Sequence, residues 1–350
     1  MIVRRITDPA VWDEYVNRNP GAQIFHRFRF GAVIRKTYSY RPVYLACVEK
    51  SGSRERIRGI LPLFRFNPLF GPRKFVSIPF FDQAGILADN EEACFCLLRA
   101  AFAYIRDKKK RFNLELRQEN PLPAFAGRSF RDVHSRVFTQ KVGLKLPLEP
   151  TEHAMLASFK AKLRSQIRKA SKNGLTARIG KNELIEPFYN VFSRNMRDLG
   201  SPVHAKSFFH RMFDFFFEQS FILVVYHGKI PAAAGFVFTF KDRLINPWAS
   251  SLKPYRHLSA NMLLYWSMIR FACRLKIRYF DMGRSSKNAS TYRFKKQWGP
   301  EEKPLYWYTF STDGEFNRAG EERLVMERFQ HMPVAVANSV GPYIRRTISL

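Results

Sequence analysis

The segment Thr291-Tyr-Arg-Phe-Lys-Lys-Gln-Trp-Gly299 sets two lysines among aromatic side chains. Lys295 and Lys296, flanked by Phe294 and Trp298 with Tyr292 one turn earlier, would hold a cation in half-apolar surroundings. A positive charge there stabilises a developing oxyanion far better than it would in water. The same residues also read as a core-anchoring aromatic pair with surface lysines, and residue chemistry alone does not choose. Just upstream, Asp281-Met-Gly-Arg284 closes an apolar run that reads as a strand ending at Asp281 and Gly283. Polar groups at the C-terminal edge of a strand in an α/β sheet sit where ligands bind. Asp281 is a candidate general base and equally a candidate for a structural hydrogen bond, and Arg284 is a candidate anion contact.

Two further stretches could hold phosphates. No acidic residue lies between Glu152 and Glu183, while Lys160, Lys162, Arg164, Arg168, Lys169 and Lys172 fan over one side of an expected helix. Solvated faces usually mix signs, and like charges at i,i+4 repel, so an anionic ligand is favoured over a plain solvated face. In Lys253-Pro-Tyr-Arg-His-Leu-Ser-Ala-Asn261, Arg256 and Asn261 stand beside an expected helix N-terminus, an anion site by dipole and charge together. Acetyl-CoA enzymes carry R/Q-x-x-G-x-G/A here, and this chain has no glycine at either position, which argues against a CoA pyrophosphate site. His204, near a helix–helix turn, reads more readily as a surface or capping residue than as a base.

These residues need elements to carry them. Met155, Phe159, Leu163, Ile167 and Ala170 recur every three or four positions, one buried helical face ending at Asn173-Gly174. Helices follow at about 183–199 and 205–219. Strands are expected at Phe221–Tyr226, Ala232–Phe240 and Leu244–Ser250, then a helix capped by Ser259, a strand Ile277–Met282, a helix Ser290–Gln297 and a strand Leu305–Phe310. That order suits a mixed α/β domain of the acetyltransferase (GNAT) type. The first half has a similar order: helices over 9–37 broken at Asn19-Pro20-Gly21, then a hairpin from Val43–Val48 and Arg58–Phe64. After it come a strand pair at Phe75–Phe80 and Ala84–Leu87, a helix Glu91–Arg106, a strand Phe112–Arg117, a loop over 121–130 and a strand from Val137 to Leu148. The prolines of 147–152 place the boundary, giving domains 1–149 and 150–330 and a basic C-terminal tail 331–350.

The chain has 350 residues, 46% of them apolar and 15% aromatic, so global disorder is excluded. Fifty-nine Lys and Arg against 29 Asp and Glu leave +30, a charge that calls for nucleic acid, anionic lipid or a phosphorylated substrate. Four cysteines make no disulfide framework, and a reducing compartment fits best. No apolar run is long enough to span a bilayer, so the expectation is a cytoplasmic protein able to rest on the inner face of the plasma membrane. No Walker loop, GxGxxG, GxSxG or HExxH occurs, and no Cys/His spacing fits zinc; the metal expectation is none.

Arg164-Ser-Gln-Ile-Arg-Lys-Ala-Ser-Lys-Asn-Gly-Leu175 resembles the RxxIRKAxKxGL helix of FemAB-like transferases, and Tyr292–Gly299 resembles their YxFKxxFG/WG segment. Gly59-Ile-Leu-Pro-Leu63, Val76-Ser-Ile-Pro-Phe80 and Leu114-Glu-Leu-Arg117 are similar to the subgroup found with exosortase/PEP-CTERM exopolysaccharide systems, the likeness covering roughly 10–335. The resemblance implies α/β (α+β mixed) sheets in two tandem GNAT-like domains with a cleft between them. It implies an acyltransferase or aminoacyltransferase acting without a metal, with Phe294 and Lys295 at the reaction centre and Lys295 on the tetrahedral oxyanion. Arg164, Arg168 and Lys169 would face phosphates. No cofactor is expected to be bound tightly; the co-substrate is an activated donor, aminoacyl-tRNA, acyl-CoA or acyl carrier protein. The acceptor is an amine or hydroxyl of a cell-envelope or exopolysaccharide precursor. A basic nucleic-acid-binding protein and an acyl-CoA-dependent N-acyltransferase stay open as alternatives.

Overall fold

The computed structural model describes all residues except 53, 70–71, 109–112, 124–129, 131–132, 315, 317–328 and 350. In chain order the elements are β1 (Ile2–Arg5), α1 (Pro9–Arg18), α2 (Phe28–Tyr38), β2 (Pro42–Ser51), β3 (Arg54–Phe66), β4 (Lys74–Val76), β5 (Leu87–Ala88), α3 (Glu91–Lys108), β6 (Asn113–Gln118), β7 (His134–Phe138) and β8 (Lys141–Pro147). Then follow α4 (Glu152–Ser158), α5 (Ala161–Lys172), β9 (Leu175–Gly180), α6 (Ile185–Asp198), α7 (Lys206–Phe216), β10 (Ser220–His227), β11 (Ile230–Phe240) and β12 (Arg243–Ser251). The last are α8 (Ala260–Arg274), β13 (Tyr279–Ser286), α9 (Ser290–Lys296), β14 (Glu301–Pro304), β15 (Tyr306–Ser311) and α10 (Val334–Arg345).

The chain divides into two compact units, and the division is discontinuous. The first holds Met1–Gln140, Pro304–Glu321 and Arg346–Leu350, and the second Lys141–Lys303 and Glu322–Arg345. This differs from a cut at 149/150 because the run read as one strand, Val137–Leu148, is two. β7 pairs with β15 in the first sheet, and β8 pairs with β13 in the second. Strand propensity cannot report which sheet a strand joins, since pairing is long-range. Of the expected loop 121–130, residues 124–129 lie outside the described ones.

The first sheet runs β1-β2-β3-β4-β6-β15-β7, with β5 on β3. The expected pair near residues 75–87 is absent among the described residues: β4 pairs antiparallel with β3 and parallel with β6, and β5 pairs with β3. Its core joins Leu45, Leu61 and Leu63 to Leu97, Leu98 and Phe102 of α3. Deep within it, Arg117 is fully buried and donates to the carbonyls of Ile78 and Phe81 and to Glu115, which also pairs with Lys74.

The second sheet runs β14-β8-β13-β12-β11-β10-β9. Strand alternation sends Leu223, Val225, Ala233 and Val237 toward Leu163, Ile167, Leu263 and Ile269 of α5 and α8. The opposite face packs Phe236 and Trp248 against Phe188 and Phe209 of α6 and α7. Helices thus cover both faces. The periodic run from Met155 to Ala170 is not one helix. α4 and α5 are separated at Phe159, whose backbone is extended, yet all five apolar residues remain buried. α10 lies on α6 with Ala337, Gly341 and Arg345 buried, so the tail belongs to the second unit as far as Arg345, and its last residues, from Arg346, belong to the first.

Candidate active site

β12 and β13 are parallel neighbours for only three residues, Arg243–Ile245 against Tyr279–Asp281. Beyond that β12 continues beside β11 without β13, while β13, paired with β8 from Tyr279 to Ser286, shifts register against it between Asp281 and Arg284. The cause is local. Asp281 Oδ1 accepts the Gly283 N–H at 2.8 Å, and Gly283 takes φ +72°, a conformation open to glycine. The resulting bulge swings β13 away and opens a gap at the C-terminal ends of two parallel strands. β13 therefore does not end at Asp281 as expected; it bends there and runs on. Asp281 is buried and gives one oxygen to that bulge, the structural hydrogen bond that was one of its two expected roles.

Lys295 reaches this gap. Its Nζ donates to the Arg284 carbonyl at 2.9 Å. A Cβ built on Gly283 would stand 4.0 Å from that Nζ and 3.0 Å from the Asn246 carbonyl oxygen of β12. Phe294 packs edge-on against Tyr265 at 4.9 Å, and Trp298, 1% exposed, lies against Phe159 at 5.5 Å. The two rings thus anchor α9 in the core, and Trp298 is a core residue rather than a pocket wall. Lys296 and Tyr292 turn to a different partner. Both donate to Glu302, Tyr292 Oη at 2.8 Å, and these bonds, Lys296 first, hold the Glu302 carboxyl below its usual range. Of the two adjacent lysines, only Lys295 addresses the strand gap.

At the end of β12 the chain makes a 3-10 turn, Lys253–Leu258, and enters α8. Ser259 is not a side-chain cap. It adopts φ +66°, the left-handed conformation for which glycine is the usual choice, so the turn forms without the glycine whose absence argued against an anion site. The first N–H groups of α8 have no side-chain cap, and a helix N-terminus in that state attracts anions. Arg256 is exposed beside it and Asn261 is half-buried in the first turn. Asn173, the C-cap of α5, donates through Nδ2 to the Leu258 carbonyl at 3.2 Å, which brings Lys169 and Lys172 to the same end. Arg168 and Lys169 are exposed. Arg164 is not available in the same way. It donates to the carbonyls of Ala157 and Phe159, at 3.2 and 2.7 Å, and closes the α4–α5 break.

His204 is neither a surface residue nor a base. It is 1% exposed and stacked on Phe208 at 4.6 Å. Its Nε2 accepts from Arg345 at 3.1 Å, and burial, then the Arg345 charge, push the imidazole well below its usual range. Sequence reading missed Asn246, Glu302 and Arg345, each of which acts through a partner distant in the chain or on another element; only the Asp-x-Gly spacing at Asp281 carried a legible signal. Among the described residues no group of three or more His, Cys, Asp or Glu could hold a metal ion.

Residues 157–296 match the family model described as acetyltransferase (GNAT) domain. The chain is built from tandem GNAT-like domains. A crystal structure of FemX superposes with a TM-score of 0.63 at 14% identity, over 88% of this chain and 97% of that one. The C-terminal domain of a putative lysylphosphatidylglycerol synthetase from Agrobacterium fabrum gives 0.54 at 13%, over 91% and 95%. A tandem GNAT protein from the clavulanic acid biosynthesis pathway gives 0.54 at 11%, over 90% and 99%. No curated protein matches by sequence. At these identities the likeness is one of fold. Each unit repeats the same plan, with antiparallel strands, a helix and then a parallel strand: β2-β3-β4, α3, β6 in the first and β10-β11-β12, α8, β13 in the second.

Proposed function

We propose that the chain is an acyl- or aminoacyltransferase whose reaction centre lies where β12 and β13 part. The observation that carries this is the Lys295 ammonium beside Gly283 and Asn246, within the segment matched as a GNAT domain. The donor is an activated ester or thioester, aminoacyl-tRNA or acyl-CoA or acyl carrier protein, with its phosphates toward the α8 N-terminus, Arg256, Asn261 and Lys169. The acceptor is an amine or hydroxyl of a cell-envelope precursor, and the likeness of Gly59–Leu63, Val76–Phe80 and Leu114–Arg117 to the exopolysaccharide-linked subgroup favours one from such a system.

Chemically, the acceptor nitrogen or oxygen attacks the donor carbonyl. The new bond forms as the carbonyl electron pair moves to oxygen, and collapse expels the tRNA hydroxyl or the thiol, which takes up the proton lost by the acceptor. Lys295 stabilises the intermediate oxyanion, and holding both reactants together supplies much of the remaining acceleration. Replacing Lys295 by Ala should lower kcat by about 10²–10³-fold while donor affinity survives, the signature of an interaction made in the transition state. Unchanged turnover would remove Lys295 from the centre. A non-catalytic polyanion binder is the rival reading, favoured by exposed Arg168 and Lys169. Such a protein would bind charged and uncharged tRNA alike.

A further inference from the structure

The four free cysteines sit in different surroundings, and two of them meet. Cys273 lies in the core of the second unit, and Cys94 lines a cavity beside the end of β6. Cys47 on β2 and Cys96 on α3 share the core of the first unit, where α3 packs on that strand. Cys47 is fully buried, and its thiol donates to the Met1 sulfur at 3.5 Å. Cys96 is half-buried and lines, with Met1, Val3, Arg99 and Arg106, an open groove of about 650 Å³.

The Cys96 thiol is in hydrogen-bonding contact with that of Cys47. Burial first, then this neighbour, push the Cys47 thiol up to about 12, so that alone it stays protonated and inert. One thiol of the pair thus faces the groove, and the other is shielded behind it. Side chains that meet are the precondition for a bridge, since cysteines pointing apart cannot join without backbone movement. Cys94 is no rival partner for Cys96, because residues two apart on a helix do not face each other.

We propose that Cys47 and Cys96 are an oxidisable pair that forms a reversible disulfide and ties α3 to β2. The oxidant is a small disulfide of the glutathione type, admitted by the groove. The Cys96 thiolate attacks one of its sulfurs, forms a new S–S bond and expels a glutathione thiolate. Cys47 gives its proton to that thiolate and attacks the Cys96 sulfur, expelling a second thiolate, which takes up the proton Cys96 had lost. Two protein thiols are oxidised as one glutathione disulfide is reduced to two thiols. Where a compartment is reducing, such a pair cycles rather than staying bridged. The proposal does not depend on the acyl-transfer reading.

Incubating the full chain in buffers of reduced and oxidised glutathione, then denaturing it, alkylating free thiols and mapping the peptides by mass, tests it. In reduced buffer all four cysteines should take the label; in oxidised buffer Cys94 and Cys273 alone should. The unlabelled pair should appear as one Cys47–Cys96 bridged peptide, and dithiothreitol should restore all four labels. Cys94→Ser should form the same bridge, whereas Cys47→Ala should stop with one glutathione on Cys96. The proposal is overturned if Cys47 stays labelled in oxidised buffer, if the bridge joins another pair or two chains, or if Cys94→Ser abolishes it.

Discussion

Lys295 donates to a backbone carbonyl on β13, whereas Lys296, the next residue, pairs with Glu302. One helical step separates a group aimed at the strand gap from one committed to an ion pair. By residue chemistry alone the two were equivalent, because the deciding partners lie on β13 and β14; only the resemblance to FemAB-like transferases singled out Lys295. The same limit applied to His204, which looked exposed until Phe208 and Arg345 were seen around it. A second residue-scale consequence concerns Glu115. Burial alone would raise its pKa, but Arg117 and Lys74 overcome that and pull it from 4.5 to about 2. A carboxyl that titrates lower in the folded chain stabilises fully above about pH 4.5, and that contribution is lost as pH falls toward 2. The amount is on the order of 3 kcal/mol. Glu115→Gln should therefore flatten the acid limb of a stability–pH curve. It should also destabilise the protein near neutrality by about 3–5 kcal/mol, since Arg117 is left buried without its counter-charge.

Elements were legible where a local signal marks them. The hairpin turning at Gly228 was read from its turn residues, and α8 was placed by Ser259 as a cap, which marks its start although the side chain does not cap it. The break at Phe159 was not, because the buried residues on either side keep helical spacing and neither Gly nor Pro marks the interruption. The parting of β12 and β13 was half visible: Asp-x-Gly announced a turn, and only the pairing showed a bulge inside a continuing strand. At this scale the charge on α5 makes a prediction. Exchanging Arg168, Lys169 and Lys172 for Gln should weaken binding to tRNA or duplex RNA. It should lower the slope of log K against log salt by about 2–3, one unit for each phosphate no longer neutralised. An unchanged slope would make α5 a solvated face. The tail makes another. α10 exposes Val336, Val340 and Tyr343 in one stripe while Ala337 and Gly341 face inward. Flotation with anionic vesicles should be weaker for a chain ending near Phe329 than for the full chain. Equal flotation would rule out the tail as an anchor.

For the whole molecule, the helices and strands pointed to a tandem α/β plan, and the two sheets carry it out with a strand exchange that sequence did not show. β8 lies before the expected boundary yet joins the second sheet, and β15 lies deep in the C-terminal half yet joins the first. Net charge +30 sets the expected partners at this scale, and the site proposed for them lies in the second unit. The central claim is that this site takes an activated acyl donor. Thermal unfolding at fixed salt, with aminoacyl-tRNAs, the same tRNAs uncharged, acyl-CoAs of short and long chain, free CoA, and acyl carrier protein with and without its acyl group, tests it most directly. A donor at about a hundred times its dissociation constant stabilises the fold by about 2.7 kcal/mol. The account predicts that one acylated donor raises the unfolding temperature above its deacylated counterpart. Equal shifts for every acylated and deacylated pair would contradict it and leave a basic protein that binds polyanions by charge.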